Sequence, residues 1–118
     1  NKNDYYQKTI QALPKMGNYN AAIIIDELAN EATLDDEILL LLSEKLSKSS
    51  YYTVHLTLQF IENKDLFSDK LELNLSTLLD VNDFFIARRA YRFLEEQTLS
   101  PETSQKLAAF AKKHEDRI

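Results

Sequence analysis

The 118-residue chain has no cysteine, one glycine and two prolines. Without cysteine there is no disulfide framework, no thiolate metal site and no cysteine nucleophile. Its absence suits a reducing compartment, and a cytoplasmic, soluble protein is the expectation. A single glycine rules out a glycine-rich phosphate loop. Turn-rich all-β domains need many more special backbone positions than one Gly and two Pro supply. Long apolar runs are also missing. None, Ile38 to Leu42 included, exceeds five residues, far short of the roughly 18 that a membrane span requires. A net charge of −5 argues against nonspecific binding to nucleic acid or to an anionic membrane, because that affinity comes from neutralising phosphates.

What the chain does have is an echo at 33 residues. Leu13, Leu46 and Leu79 recur at that interval, as do Tyr19, Tyr52 and Phe85, and Leu28, Ile61 and Leu94. Apolar positions recurring in one register mark a stacked repeat, in which each unit buries its apolar face against its neighbours. The same register predicts that Tyr52 and Phe85 pack in the core, with Tyr51 and Phe84 partly exposed at the helix starts.

Helical periodicity and capping signals divide the chain into seven helices. The first covers about 4–16, capped by Asn3 or Asp4, bent or ended by Pro14 and closed by Gly17. A second, about 19–31, follows Asn18 or Asn20 and turns Ala21, Ile24, Ile25 and Leu28 inward. Thr33 caps a third, with Ile38, Leu42 and Leu46 in line. Ser49 or Ser50 opens a fourth to about 63, with Val54, Leu58 and Ile61 inward. Asp65 or Ser68 opens a fifth, to about 79, carrying Leu71, Leu75, Leu78 and Leu79. Asp80 or Asn82 opens a sixth, to about 97. Ser100 caps the last, with Pro101 at its first position, and residues 115–118 are expected to fray. Residues 53–60 and 70–75 alternate apolar and polar, a strand-like pattern that could form a β-hairpin. The shared 33-residue register and the blurred period of a helix buried on two sides favour helix there.

The segment Leu79-Asp80-Val81-Asn82-Asp83-Phe84-Phe85-Ile86-Ala87-Arg88-Arg89-Ala90-Tyr91-Arg92-Phe93-Leu94 resembles a HEAT repeat, with Asp80, Ala87, Arg88, Ala90 and Leu94 matching that pattern. The resemblance extends at low stringency over most of the chain, and only residues 71–96 match well. The other units carry Ala22 and His55 where the pattern has Arg, which argues against an Arg–Asp ladder. The period is nearer that of tetratricopeptide repeats, but their Gly, Ala and Pro marks are missing. The resemblance implies an all-α, right-handed α-α superhelix, a HEAT-like solenoid of about three helix pairs and roughly seven helices. Its units would lie at about 1–16, 17–49, 50–81 and 82–118 of a single domain. The phase makes the first helix the second half of a unit. The expectation is therefore a segment of a longer array or an N-terminal capping helix.

Chemistry is sparse. Acids cluster at Asp26, Glu27, Glu31, Asp35, Asp36 and Glu37, as solvated helix ends do, without the spacing of a calcium loop. His55 and His114 lie in different units and have no partners at triad spacing. No catalytic residue, metal site or cofactor is expected. Arg88, Arg89 and Arg92 form the one compact basic patch. Arg88 is assigned to structure, and Arg89 and Arg92 are candidates to meet an anion or an acidic partner. In the resembling family the second helices line a groove that binds proteins. Carried over, that implies a groove of Glu37, Leu41, Glu44, Lys48, Lys70, Asn74 and Thr77. The expected role is a protein-interaction module or scaffold segment for a protein or peptide partner, with self-association allowed. The alternatives are a small inhibitor or immunity-type protein, or a helical accessory domain of a larger enzyme.

Overall fold

A computed structural model describes all residues, 1–118. It contains seven α-helices and no strand. These are α1 (Lys2–Ala12), α2 (Asn18–Ala29), α3 (Asp36–Lys45), α4 (Tyr51–Asn63), α5 (Asp69–Ser76), α6 (Phe84–Leu94) and α7 (Pro101–Lys113). They stack in two rows. In one, α1 packs on α3, α3 on α5 and α5 on α7. In the other, α2 packs on α4 and α4 on α6. No helix is long and apolar enough to cross a membrane.

The 33-residue echo has a local cause. Three helices of the first row end in a 3-10 turn, at Leu13–Lys15, Leu46–Lys48 and Thr77–Asp80. Each turn closes with the same backbone bond, Met16 N to Leu13 O (3.0 Å), Ser49 N to Leu46 O (3.1 Å) and Val81 N to Leu78 O (3.4 Å). The tighter winding drops Leu13, Leu46, Leu78 and Leu79 into the core and releases the chain toward the second row. Pro14 is accommodated in the first of these turns, where its missing N–H breaks no α-helical ladder.

Chain entries are set by small polar caps. The side chains of Asn1, Asp35, Ser50, Asp83 and Ser100 each accept a backbone N–H of the first helical turn, a contribution of about 1 kcal/mol apiece. Several caps sit away from the expected residues. α1 begins at Asn1 and not at Asn3 or Asp4, α2 at Gly17 and not at an Asn, α3 at Asp35 and not at Thr33, and α6 at Asp83 and not at Asp80 or Asn82. At Gly17, Asp35 and Asp83 the capping residue has extended backbone angles and the helix follows directly. Asp65 does not open α5. Its φ of 53° is left-handed, and it ends α4: Leu66 N bonds Ile61 O (2.9 Å) and Asp65 N bonds Glu62 O (3.1 Å). This is the Schellman pattern, with aspartate where glycine is usual.

The strand-like segments are helical. α4 lies between α2 and α6 and buries Thr53, Val54, Thr57, Leu58, Phe60 and Ile61, which explains its blurred period. In α5, Leu71 and Leu75 are buried while Leu73, between them, is 71% exposed. A strand would have put all three on one face. Residues 115–118 are not frayed. Ile118 N bonds His114 O (3.2 Å), Arg88 Nη1 donates to Arg117 O (3.4 Å), and the Arg117 guanidinium lies 3.6 Å from the Phe84 ring centre.

Candidate interaction face

Two of the three recurring registers are core positions and one is surface. Leu13, Leu46, Leu79 and Leu28, Ile61, Leu94 are all buried. Tyr19, Tyr52 and Phe85 are 80%, 42% and 58% exposed. The expectation that Tyr52 and Phe85 pack in the core is therefore wrong. The reason is angular: each residue turns the helix about 100°, so Tyr52 lies about 200° from the buried Val54. Tyr19 stands in the same relation to Ala21, and Phe85 to Ala87. Phe84, in contrast, is half-buried, stacked on Phe110 (6.2 Å, 9°).

The exposed aromatics head a face that α2, α4 and α6 share. Each helix presents positions i, i+3, i+4 and i+7 from its aromatic residue. These are Tyr19, Ala22, Ile23 and Asp26 on α2; Tyr52, His55, Leu56 and Gln59 on α4; and Phe85, Arg88, Arg89 and Arg92 on α6. Between α2 and α4 lies a shallow cleft of about 440 Å³, lined chiefly by Tyr19, Ile23, Asp26, Tyr52, Leu56 and Gln59. Between α4 and α6 the surface is tied shut. Arg89 Nε donates to His55 Nδ1 (3.0 Å), and His55 stacks on Tyr51 (6.1 Å, 6°). Charge changes sign along the face. Asp26 at one end and Arg92 at the other are exposed, and neither forms an ion pair within the chain.

The residues expected to line a groove are on the opposite row and split in their roles. Lys70 Nζ pairs with Asp36 Oδ2 (2.8 Å), and Asp36 holds its ammonium pKa above the ordinary lysine value. Asn74 Nδ2 donates to Ser43 Oγ (3.0 Å) and to Leu40 O (3.4 Å), tying α5 to α3. Thr77 Oγ1 donates to Asn74 O in its own turn (2.6 Å). Leu41 is half-buried, and Glu37, Glu44 and Lys48 are exposed without ion pairs. Of the basic patch, Arg88 makes a backbone bond to Arg117 and lies over Phe84 and Phe85. Arg89 is committed to His55, which leaves Arg92 as the free cation. Asp80 pairs with Lys106 (3.1 Å), not with an arginine.

The acidic cluster is dispersed into ties between helices. Tyr5 donates to Glu27 (3.1 Å), Tyr6 to Glu31 (2.6 Å) and Lys70 to Asp36 (2.8 Å), while Asp35 caps α3. The Glu31 hydrogen bond raises the Tyr6 phenol to about 12, and the Tyr6 hydroxyl in turn lowers Glu31. A tie that sequence reasoning missed joins α5 to the start of α7. Glu72 accepts Ser100 N–H (3.1 Å), Ser100 Oγ–H (2.6 Å) and Thr103 Oγ1–H (2.8 Å). The Ser100 hydroxyl is the main cause that lowers the Glu72 pKa, with Thr103 adding to it and burial opposing. Its only signal in sequence is a carboxylate 28 residues before a capping serine. His55 and His114 are on different elements, and His114 rests against Phe110 (4.5 Å) and Phe84 (5.1 Å). No three His, Asp or Glu side chains are grouped where they could hold a metal ion.

Comparison of the chain with family models, with characterised proteins and with solved structures returns no match.

Proposed function

We propose that this chain is a non-catalytic protein-interaction module, a HEAT-like solenoid segment that docks a protein or peptide partner on the outer face of α2, α4 and α6. One observation carries the reading: Tyr19, Tyr52 and Phe85 stand in one register on three adjacent helices and are all exposed. Exposed aromatics beside an apolar cleft are the usual anchors of protein interfaces, and tyrosine is enriched among them. Ile23, 41% exposed, and the half-buried Leu56 extend the apolar area between the first two rings.

The α3 and α5 surface is the weaker candidate, because Lys70 and Asn74 are already engaged in holding those helices together. The two surfaces are separated by capturing partners from native extract with four baits: the natural chain, Tyr52→Ala, Phe85→Ala and the pair Glu37→Lys with Glu44→Lys. A stoichiometric partner is expected to be lost with either aromatic variant and kept with the double charge reversal. The opposite pattern would move the docking site to the first row and refute the proposed face.

A further inference from the structure

We infer that the occupant of the α2/α4/α6 face is a second copy of this chain, paired about a two-fold axis that runs along α4. The inference rests on the reading of that face as a docking surface and commits it to one partner. What points to a second copy is the order of residues across the face. Each of its two outer levels is self-complementary when reversed.

At the aromatic level the order across α2, α4 and α6 is Tyr19, Tyr52, Phe85. One helical interval of seven residues further on, it is Asp26, Gln59, Arg92. A two-fold axis along α4, in the plane between the copies, keeps each level and reverses the row. Tyr19 then meets Phe85 of the other copy, and Tyr52 meets its own counterpart. Asp26 meets Arg92 of the other copy twice, once on each side of the axis. Gln59 meets its counterpart at the centre, where two primary amides can each donate and accept. An isologous interface demands this kind of self-complementarity. An axis across the helices at mid-face would instead reverse the levels, set Asp26 against Tyr19 and Arg92 against Phe85, and leave the two opposite charges apart. Neither of the charges that this pairing uses is engaged in an ion pair within the chain.

Three helices about 10 Å apart and about 18 Å long present on the order of 500 Å² per copy. A standard specific interface takes roughly 800 Å² from each side. The pairing is therefore a weak one, which dissociates on dilution through the micromolar range.

Sedimentation of the purified chain over that range tests it, with the variants Asp26→Arg and Arg92→Asp alone, combined in one chain, and mixed as two chains. Both positions are exposed, so the fold is kept, and circular dichroism verifies this. Each single reversal turns two attractive contacts per dimer into repulsions and is expected to raise the dissociation constant roughly tenfold or more. The combined variant is expected to recover the natural dimer. An equimolar mixture of the two single variants is expected to form a heterodimer, although neither pairs with itself. A chain that stays monomeric up to millimolar concentration overturns the inference, as does a dimer that the single reversals leave unmoved or that the combined variant fails to restore. Capture of a different protein, lost with Tyr52→Ala while the pure chain stays monomeric, would refute self-pairing and leave the docking face standing. A monomer that captures nothing would refute both.

Discussion

Thr57→Val should make this protein more stable. Thr57 is fully buried in the middle of α4, and its hydroxyl oxygen has no hydrogen-bond partner. At the same register on the flanking helices stand Ile24 and Ala90, both buried and apolar. An orphaned buried hydroxyl costs about 1–3 kcal/mol of desolvation. Valine fills nearly the same volume, is branched at the same carbon and has a similar helix propensity, so the exchange removes the penalty with little change in packing. A gain of about 1–2 kcal/mol is expected. At about 2.1 cal/mol/K per residue, a chain of 118 residues has an unfolding entropy near 250 cal/mol/K. The gain then corresponds to a rise of about 4–8 °C in Tm. Thermal unfolding followed by circular dichroism measures it. Urea unfolding adds a check, because the midpoint should move while the slope does not. A Tm that is unchanged or lower would refute the reasoning, because it would mean that the hydroxyl is hydrogen-bonded in the folded protein.

Three further perturbations follow from the geometry. Asp65→Gly relieves a non-glycine residue at φ 53° in the turn that closes α4. Offset by the greater freedom of glycine when unfolded, it is expected to stabilise by about 0.5–1 kcal/mol, read as a higher urea midpoint. Acid titration tests the Glu72 tie. Its folded pKa lies below the ordinary 4.5, so the stability it contributes is complete above that value and is lost as pH falls through the lower folded value. Glu72→Gln is expected to lower stability at pH 7 by about 1–2 kcal/mol and to flatten the acid limb; an acid limb identical to that of the natural chain would count against the tie. The Tyr6–Glu31 pair runs the other way. Tyr6 is raised from 10.0 to about 12, so its share of stability is whole below pH 10 and falls as pH rises toward 12. Tyr6→Phe should remove that alkaline slope.

The fold was legible where one residue type had one job. Leu13, Leu46 and Leu79 could only be core, and Ser100 followed by Pro101 could only begin a helix. Caps were harder where several candidates stood together. Residues 33–36 offer Thr, Leu, Asp and Asp, and only the backbone angles pick out Asp35. The recurring aromatics were misread as core because recurrence gives register and not direction. Tyr19, Tyr52 and Phe85 repeat as faithfully as the leucines, and only their angle to Ala21, Val54 and Ala87 shows that they point outward. Lys70 and Asn74 were read as free groove residues because their partners, Asp36 and Ser43, lie more than 30 residues earlier. No local pattern links side chains at that distance.

The turn at residues 114–117 bears on how such a stack could be lengthened. The first row has four helices and the second has three, so α6 has one flank, carrying Phe84, Arg88 and Tyr91, with no following helix of its own row. His114 and Arg117 fold back over Phe84 on that flank and hold there a cation and an imidazole in place of a hydrophobic neighbour. Any element added beyond α6 would compete with this turn for the same ring. A change that pulls Arg117 away would uncover the half-buried Phe84 ring and leave an apolar edge on that flank of α6.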